Sequence, residues 1–113
     1  MKAMHESAIP KQAVEGDGAN KAYIQWLIGP ADTPPNFALR KITLERGGAT
    51  PLHRHDYEHE TYILSGAGVL FFDGKEYELK PGFFALVDSG KMHQFKNTGD
   101  TEFVFLCAIP LPK

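Results

Sequence analysis

The heptapeptide HRHDYEH, residues 53–59, places three histidines at even spacing within a chain of 113 residues. Because side chains alternate between the two faces of a β-strand, His53 and His55 point to the same side, and His59 lies an even number of positions further along. A lone histidine, such as His5, is ordinarily a surface or hydrogen-bonded core residue. Packing explains three clustered histidines poorly, because each buried polar group without a partner costs roughly 1–3 kcal/mol. The heptapeptide therefore predicts a ligand site.

A fourth histidine, His93, lies far along the chain between two turn-forming segments, residues 89–90 and 97–100. It belongs to a different predicted strand, so a barrel or sandwich is needed to bring it beside the other three. Neutral imidazole is a common ligand of zinc, copper, iron and nickel. We therefore predict that all four histidines hold one divalent transition metal: His53, His55, His59 and His93.

The rest of the chain alternates short aromatic and β-branched runs with turns, and no segment has a helical period with caps. Strands are predicted at Ala22–Ile28, Phe37–Leu44, Thr61–Leu64, Val69–Phe72, Glu76–Leu79, Phe83–Val87, Met92–Lys96 and Glu102–Ile109. Asp73-Gly74 suits a two-residue hairpin turn, because both positions need positive φ. The pattern predicts an all-β sandwich or barrel over residues 21–113, preceded by an N-terminal arm at residues 1–20.

Composition is that of one ordinary globular domain, with 42% apolar and 23% charged residues and a formal net charge of −2. The lack of a basic cluster argues against nucleic acid as a partner, and no apolar run is long enough for a membrane helix. The N-terminus lacks the apolar stretch of a secretory signal. The single cysteine, Cys107, is predicted to be a buried structural thiol, because no histidine is near it in sequence. We expect a cytoplasmic protein.

Two segments resemble the two motifs of the cupin superfamily. The first is Gly47-x5-His53-x-His55-x3-His59-x6-Gly66, and the second is Gly74-x6-Pro81-Gly82-x10-His93-x3-Asn97. The resemblance implies a double-stranded β-helix, the jelly-roll barrel of small metal-binding cupins. His59 occupies the position where the first motif usually has glutamate, so the four-histidine type is implied. Glu60 is the alternative ligand if a bulge exchanges the two side chains. Asp88 replaces a usual proline, with an expected effect on loop shape only.

The ligand set predicts the chemistry of the bound species. Four neutral imidazoles leave the charge of the metal uncompensated, so an anionic ligand is favoured at any open position. Ligands from one wall of a barrel leave two neighbouring positions free in six-coordinate geometry. Manganese, iron, nickel, zinc and copper are all compatible with such a site. Five phenylalanines are candidates for the surrounding pocket, with core packing as the ordinary alternative: Phe72, Phe83, Phe95, Phe103 and Phe105.

Three functions remain open. The leading one is a metal-dependent, dioxygenase-like oxidoreductase acting on a small organic molecule, with no catalytic residue assigned. The second is a non-catalytic module that binds a metal and a small ligand, because the motifs contain no obvious general acid or base. The third is a sugar or sugar-phosphate isomerase, which would be favoured if Arg40 or Lys41 pointed into the cavity. The resemblance also implies a homodimer that exchanges the Ala22–Ile28 strand. Gln94 and Lys96 alternate with His93 and are predicted to face outward.

Overall fold

The structure, a computed structural model, describes residues 1–33 and 35–112. In this part of the chain a single-turn 3₁₀ helix at Glu6–Ala8 precedes nine strands. The strands are β1 (Gln12–Ala13), β2 (Asn20–Ile28), β3 (Phe37–Ala49), β4 (His59–Ser65), β5 (Gly68–Phe72), β6 (Lys75–Leu79), β7 (Phe84–Val87), β8 (His93–Asn97) and β9 (Phe103–Pro110). Lys113, the predicted end of the barrel domain, lies outside the described residues. No helix in the described ranges is long and apolar enough to cross a membrane.

All strand pairs are antiparallel, in the order β6-β5-β8-β3-β9-β4-β7, with β2 beside β3 and β1 beside β2. The long strand β3 connects the two halves of the barrel: residues 37–44 pair with β9, whereas Ala49 pairs with Lys96 of β8. Gly47 marks the change, because its φ of +78° is open to glycine at little cost. The result is a nearly closed barrel, which confirms the predicted double-stranded β-helix.

The hairpin predicted at Asp73-Gly74 is present. Both residues have positive φ, 49° and 86°, and the turn pairs Phe72 with Lys75. This is the backbone that a two-residue primed turn requires. The hairpin joins β5 to β6, and β5 in turn pairs with β8, the strand that carries His93.

Alternate side chains of the neighbouring strands β3 and β9 contribute to the core. Ile42 and Leu44 of β3 pair with Phe105 and Phe103 of β9, and all four are buried. Each apolar side chain removed from water contributes roughly 1.5–3 kcal/mol. The same alternation brings Arg40 of β3 onto the inner face, beside this apolar wall.

The first twenty residues, predicted to be an arm, pack along the barrel. The Gln25 side-chain amide donates to the carbonyls of Glu6 (3.1 Å) and Ile9 (2.8 Å). The Glu6 carboxylate forms an ion pair with Lys41. Further along, the backbone N–H of Leu52 donates to the carbonyl of Asp17 at 2.8 Å, so residues 14–17 lie against the barrel at one side of the cavity described below.

Candidate metal centre

Backbone pairing joins the two histidine segments. His53 and His93 form an isolated antiparallel bridge, in which the N–H of His53 donates to the carbonyl of His93 at 3.2 Å and the reverse bond measures 2.9 Å. Residues that exchange both bonds are directly opposite each other. Their ring centroids are therefore only 4.8 Å apart, although forty positions separate the two residues in the chain.

Three of the four predicted ligands converge. One ligand atom each from His53, His55 and His93 lies within 4.8 Å of the others. The Nδ1 atom of His55 is 2.8 Å from the carbonyl of Tyr57, and that of His93 is 2.9 Å from the carbonyl of Lys91. A carbonyl oxygen only accepts, so Nδ1 carries the proton in both rings and Nε2 has a free lone pair.

His59 lies beside this group rather than within it. It is the first residue of β4, is only 7% exposed, and its ring stacks on His55 with centroids 4.3 Å apart. The centroid distance to His93 is 5.3 Å. Glu60, the alternative ligand, is exposed on the opposite face of β4, as strand alternation requires. The structure thus places His59, not Glu60, on the face that carries the histidines.

The histidine rings are suited to a cation. The Nε2 atoms of His55, His59 and His93 are buried and have no hydrogen-bond partner among the described residues. Buried polar atoms are otherwise nearly always paired. For His55 and His93 the free lone pairs are also the form in which imidazole binds metals. A divalent transition metal would satisfy these nitrogens, so the residues present fit the predicted group.

Burial favours the neutral form of His53, His59 and His93. It lowers the pKa of His59 to about 2, with a further contribution from the Arg40 charge. Burial and the neighbouring His93 lower the pKa of His53 to about 4. The pKa of His93 is also lowered, mainly by burial, against an opposing hydrogen bond to the Lys91 carbonyl. At neutral pH these rings are therefore uncharged and able to act as ligands.

His53, His59 and His93 line a cavity of about 360 Å³. Its walls are largely apolar, with Ile42, Phe95 and Phe105 among the lining residues. Of the other phenylalanines proposed for the pocket, Phe103 is buried in the core and Phe83 is 47% exposed. Phe72 lines a separate groove between β6 and β7. The prediction for the pocket therefore holds for two of the five phenylalanines.

Two further residues lie at the site that the sequence did not assign to the metal centre. Arg40 and Cys107 are paired across β3 and β9, and both line the cavity. Nη2 of Arg40 donates to Sγ of Cys107 at 2.9 Å, and Sγ is 3.2 Å from Nδ1 of His59. The guanidinium also lies 5.3 Å from the ring of Trp26, within cation–π range.

Cys107 is buried, as predicted, and the fold brings it beside His59, although no histidine is near it in sequence. Its β9 position pairs with Thr61 of β4, two residues beyond His59 on the same face. Burial raises the pKa of its thiol, against the opposing effect of Arg40. The sequence signal for Arg40 was its place in the inward alternation of β3, between Ala38 and Ile42.

Gln94 was predicted to face outward, but the solvent exposure that this implies is wrong. Gln94 does alternate with His93, but it is only 7% exposed. Its amide donates to the carbonyls of Thr50 (2.9 Å) and Gly18 (3.3 Å), so the N-terminal segment covers it. Lys96, two positions further along β8, is exposed as expected.

A family model described as "Cupin domain" matches residues 40–109, which include both histidine segments, Arg40 and Cys107. The chain belongs to the cupin family. It is 40% identical over 72 residues to an oxalate-binding protein of Thermotoga maritima. That match covers 63% of this chain and 60% of the relative, so it spans less than two thirds of the relative's length.

Two solved structures share both the fold and part of the sequence. The polyketide cyclase RemF of Streptomyces resistomycificus has a TM-score of 0.89 and 29% identity, over 97% of this chain and 79% of that one. A predicted oxalate decarboxylase of Thermotoga maritima has a TM-score of 0.85 and 27% identity, over 98% of this chain and 100% of that one. These cupins are named for different activities, so the fold does not by itself select a reaction.

Proposed function

We propose that this cupin binds one divalent transition metal through His53, His55, His59 and His93, and that a small organic anion is its ligand or substrate. One observation carries the proposal: His59 and His93, whose buried Nε2 atoms have no partner among the described residues, line the same cavity as Arg40. The metal, when bound, would act as a Lewis acid toward an oxygen of the anion. Manganese, iron, nickel, zinc and copper remain the candidates.

Arg40 supports a carboxylate or enolate as the chemical class of the ligand. A guanidinium offers several N–H donors in a planar fork that matches a carboxylate. One donor is bonded to Cys107, while Nε is buried without a partner among the described residues. An anion at Arg40 would satisfy the remaining donors. The curated relative and one of the similar solved structures, both from Thermotoga maritima, are named for oxalate, which has this chemistry.

The reaction we favour is oxygen-dependent oxidation of that anion, as in a dioxygenase-like oxidoreductase. The apolar lining, with Ile24, Ile42, Phe95 and Phe105, supports it, because such a wall excludes water from a reactive intermediate. Arg40 would hold the anion and polarise it, while the backbone-oriented histidines keep the ligand set in place. This reaction would require two open coordination positions on the bound metal.

Binding without turnover is the second candidate. Its support is the position of the carboxylates among the described lining residues: Glu15 and Asp17 are both exposed, on the N-terminal segment. A buried general acid or base is therefore lacking in the described lining apart from the histidines and Cys107. The isomerase alternative is supported by Arg40, which does line the cavity. Lys41 does not support it, because Lys41 forms an ion pair with Glu6. A single arginine would therefore have to hold a phosphate.

Calorimetry and oxygen consumption separate these functions. Protein loaded with manganese or iron should bind oxalate or acetylacetone, and the metal-free protein should bind them at least about tenfold more weakly. Oxygen uptake with a panel of diketones, aromatic diols and alkenes would support the oxidoreductase. Binding with no uptake and unchanged ligand would support the second candidate. Equal binding with and without metal would contradict the proposed site.

A homodimer in the cytoplasm is proposed as the physiological state. In the described residues β2 pairs with β3 and, over two positions, with β1 of the same chain. Exchange of the Ala22–Ile28 strand would replace the first of these pairings with that of a second copy. Sedimentation at micromolar concentration should give a dimer, and a monomer under those conditions would remove the proposal.

A further inference from the structure

We propose that Cys107 is a positioning residue for the metal site. Its sulfur accepts a hydrogen bond from Nδ1 of His59 and thereby directs the Nε2 lone pair of His59 toward the metal. Cys107 would thus make His59 the fourth ligand of a site that otherwise has three. This inference rests on the proposed metal site, and it adds a residue outside the ligand set.

The contacts of Cys107 limit where the protons of this hydrogen-bond network can lie. Arg40 has only donors, so its 2.9 Å contact makes Sγ of Cys107 an acceptor. The second contact, 3.2 Å between Sγ and Nδ1 of His59, allows two proton positions. If the thiol donates to Nδ1, the ring proton lies on Nε2, which then has no lone pair for a metal. If Nδ1 donates to sulfur, Nε2 is free to bind.

The surroundings of Nε2 favour the second proton position. This atom of His59 is buried without a partner among the described residues, so a proton there would lack an acceptor. The His59 ring also stacks on His55, whose own Nε2 is free. A cation bound by both rings is satisfied only when both present lone pairs. Metal binding and the Nδ1–H to sulfur hydrogen bond therefore support each other.

Cys107 does for His59 what backbone carbonyls do for two other histidines. His55 and His93 are oriented by the carbonyls of Tyr57 and Lys91. In the described part of the chain, Nδ1 of His59 has Cys107 as its hydrogen-bond partner. Outer partners of metal-bound histidines commonly change metal affinity about 10–100-fold when they are removed. A side chain in this role can be replaced, whereas a carbonyl cannot.

Two substitutions separate positioning from packing. Cys107→Val keeps an apolar side chain of similar volume in the core but removes the acceptor. Cys107→Ser keeps an acceptor but places a hydroxyl in an apolar wall. A packing role predicts that the valine variant resembles the wild type more closely. A positioning role predicts the reverse order for the metal site, whatever the order of the two unfolding temperatures.

The full chain is loaded with Cu²⁺, and the histidine nitrogens bound to copper are counted by pulsed electron paramagnetic resonance. Zn²⁺ affinity is measured by competition with a chelating dye. We expect four imidazoles in the wild type and Cys107→Ser, and three in Cys107→Val, with zinc affinity about 10–100-fold lower in the valine variant. Cys107→Ala serves as the acceptor-free variant if the valine protein does not fold.

The outcomes distinguish this inference from the proposed function. Four imidazoles and wild-type zinc affinity in Cys107→Val would overturn the role of Cys107 and leave the metal site intact. A wild-type protein with three imidazoles would also overturn it, because His59 would then not be a ligand. A wild-type protein that binds neither Cu²⁺ nor Zn²⁺ at the histidines would overturn the proposed function itself, together with the inference.

Discussion

The two sides of the histidine cluster are built differently. On one side, His55 and His93 are oriented by backbone carbonyls within two residues of themselves. On the other, His59 is oriented by Cys107, forty-eight positions away, which is itself bonded to Arg40. The first side depends on local loop geometry and tolerates changes in neighbouring side chains. The second depends on long-range strand register and on one replaceable side chain.

Removal of a ligand on the backbone-oriented side should have the largest effect. His93→Ala deletes the one ligand that we assign to the second segment. Metal affinity should fall more than about 100-fold, beyond the loss expected for an outer partner. His5→Ala is the matched control, because His5 is exposed and lies outside the cavity. Unchanged metal stoichiometry in His93→Ala, measured by elemental analysis after dialysis, would refute the assignment of His93.

The side of the cluster that contains His59, Cys107 and Arg40 is tested by measuring the affinity for an anion. Arg40→Met should lower oxalate affinity of the metal-loaded protein about 10–100-fold, because hydrogen bonds to charged groups contribute about 1.5–3 kcal/mol. Arg46→Met removes the same charge from an exposed position of the same strand. That control should change oxalate affinity little in calorimetry. Equal losses in the two variants would mean that only the net charge of the protein matters.

Acid should destabilise the metal-free protein through the buried His59. Below pH 6.5 an unfolded histidine takes up a proton, but burial holds the pKa of folded His59 at about 2. The unfolded state therefore binds more protons as the pH falls from 6.5, and the free energy of unfolding decreases by up to about 1.4 kcal/mol per pH unit. Urea unfolding at several pH values measures this slope. His59→Gln should reduce it, and an unchanged slope would contradict the burial of a neutral His59.

The smallest effect is expected at Tyr57. Its ring stacks on His55, with centroids 4.0 Å apart, but its carbonyl is what orients the imidazole. Tyr57→Leu keeps that carbonyl, so zinc affinity should fall only about threefold, the loss of an aromatic contact. A decrease as large as that of Cys107→Val would remove the distinction between backbone and side-chain orientation.

Features of the site that depend on local geometry could be predicted from the sequence, whereas those that depend on long-range strand pairing could not. The fold and the even spacing of His53, His55 and His59 depend on local patterns: strand alternation, the Asp73-Gly74 turn and the cupin-like motifs. Each of these patterns can be recognised from residues that are close together in the sequence. The link from Arg40 through Cys107 to His59 was not predicted, because it depends on the pairing of β3, β9 and β4.

Burial by distant segments was the other source of error. Strand phase placed Gln94 opposite to His93 correctly, yet the cover supplied by Gly18 and Thr50 is not visible in the pattern of β8. The inner phenylalanines show the same limit. Alternation alone does not say which of them face the cavity, as Phe95 and Phe105 do, and which fill the core, as Phe103 does.

The most direct test is an X-ray absorption spectrum of the protein purified without chelator or metal-affinity resin. The four-histidine account predicts a transition-metal edge at about one metal per chain, with scattering from four imidazole rings and additional oxygen ligands. A protein without a transition metal after reconstitution, or a bound metal whose spectrum lacks imidazole scattering, would contradict it.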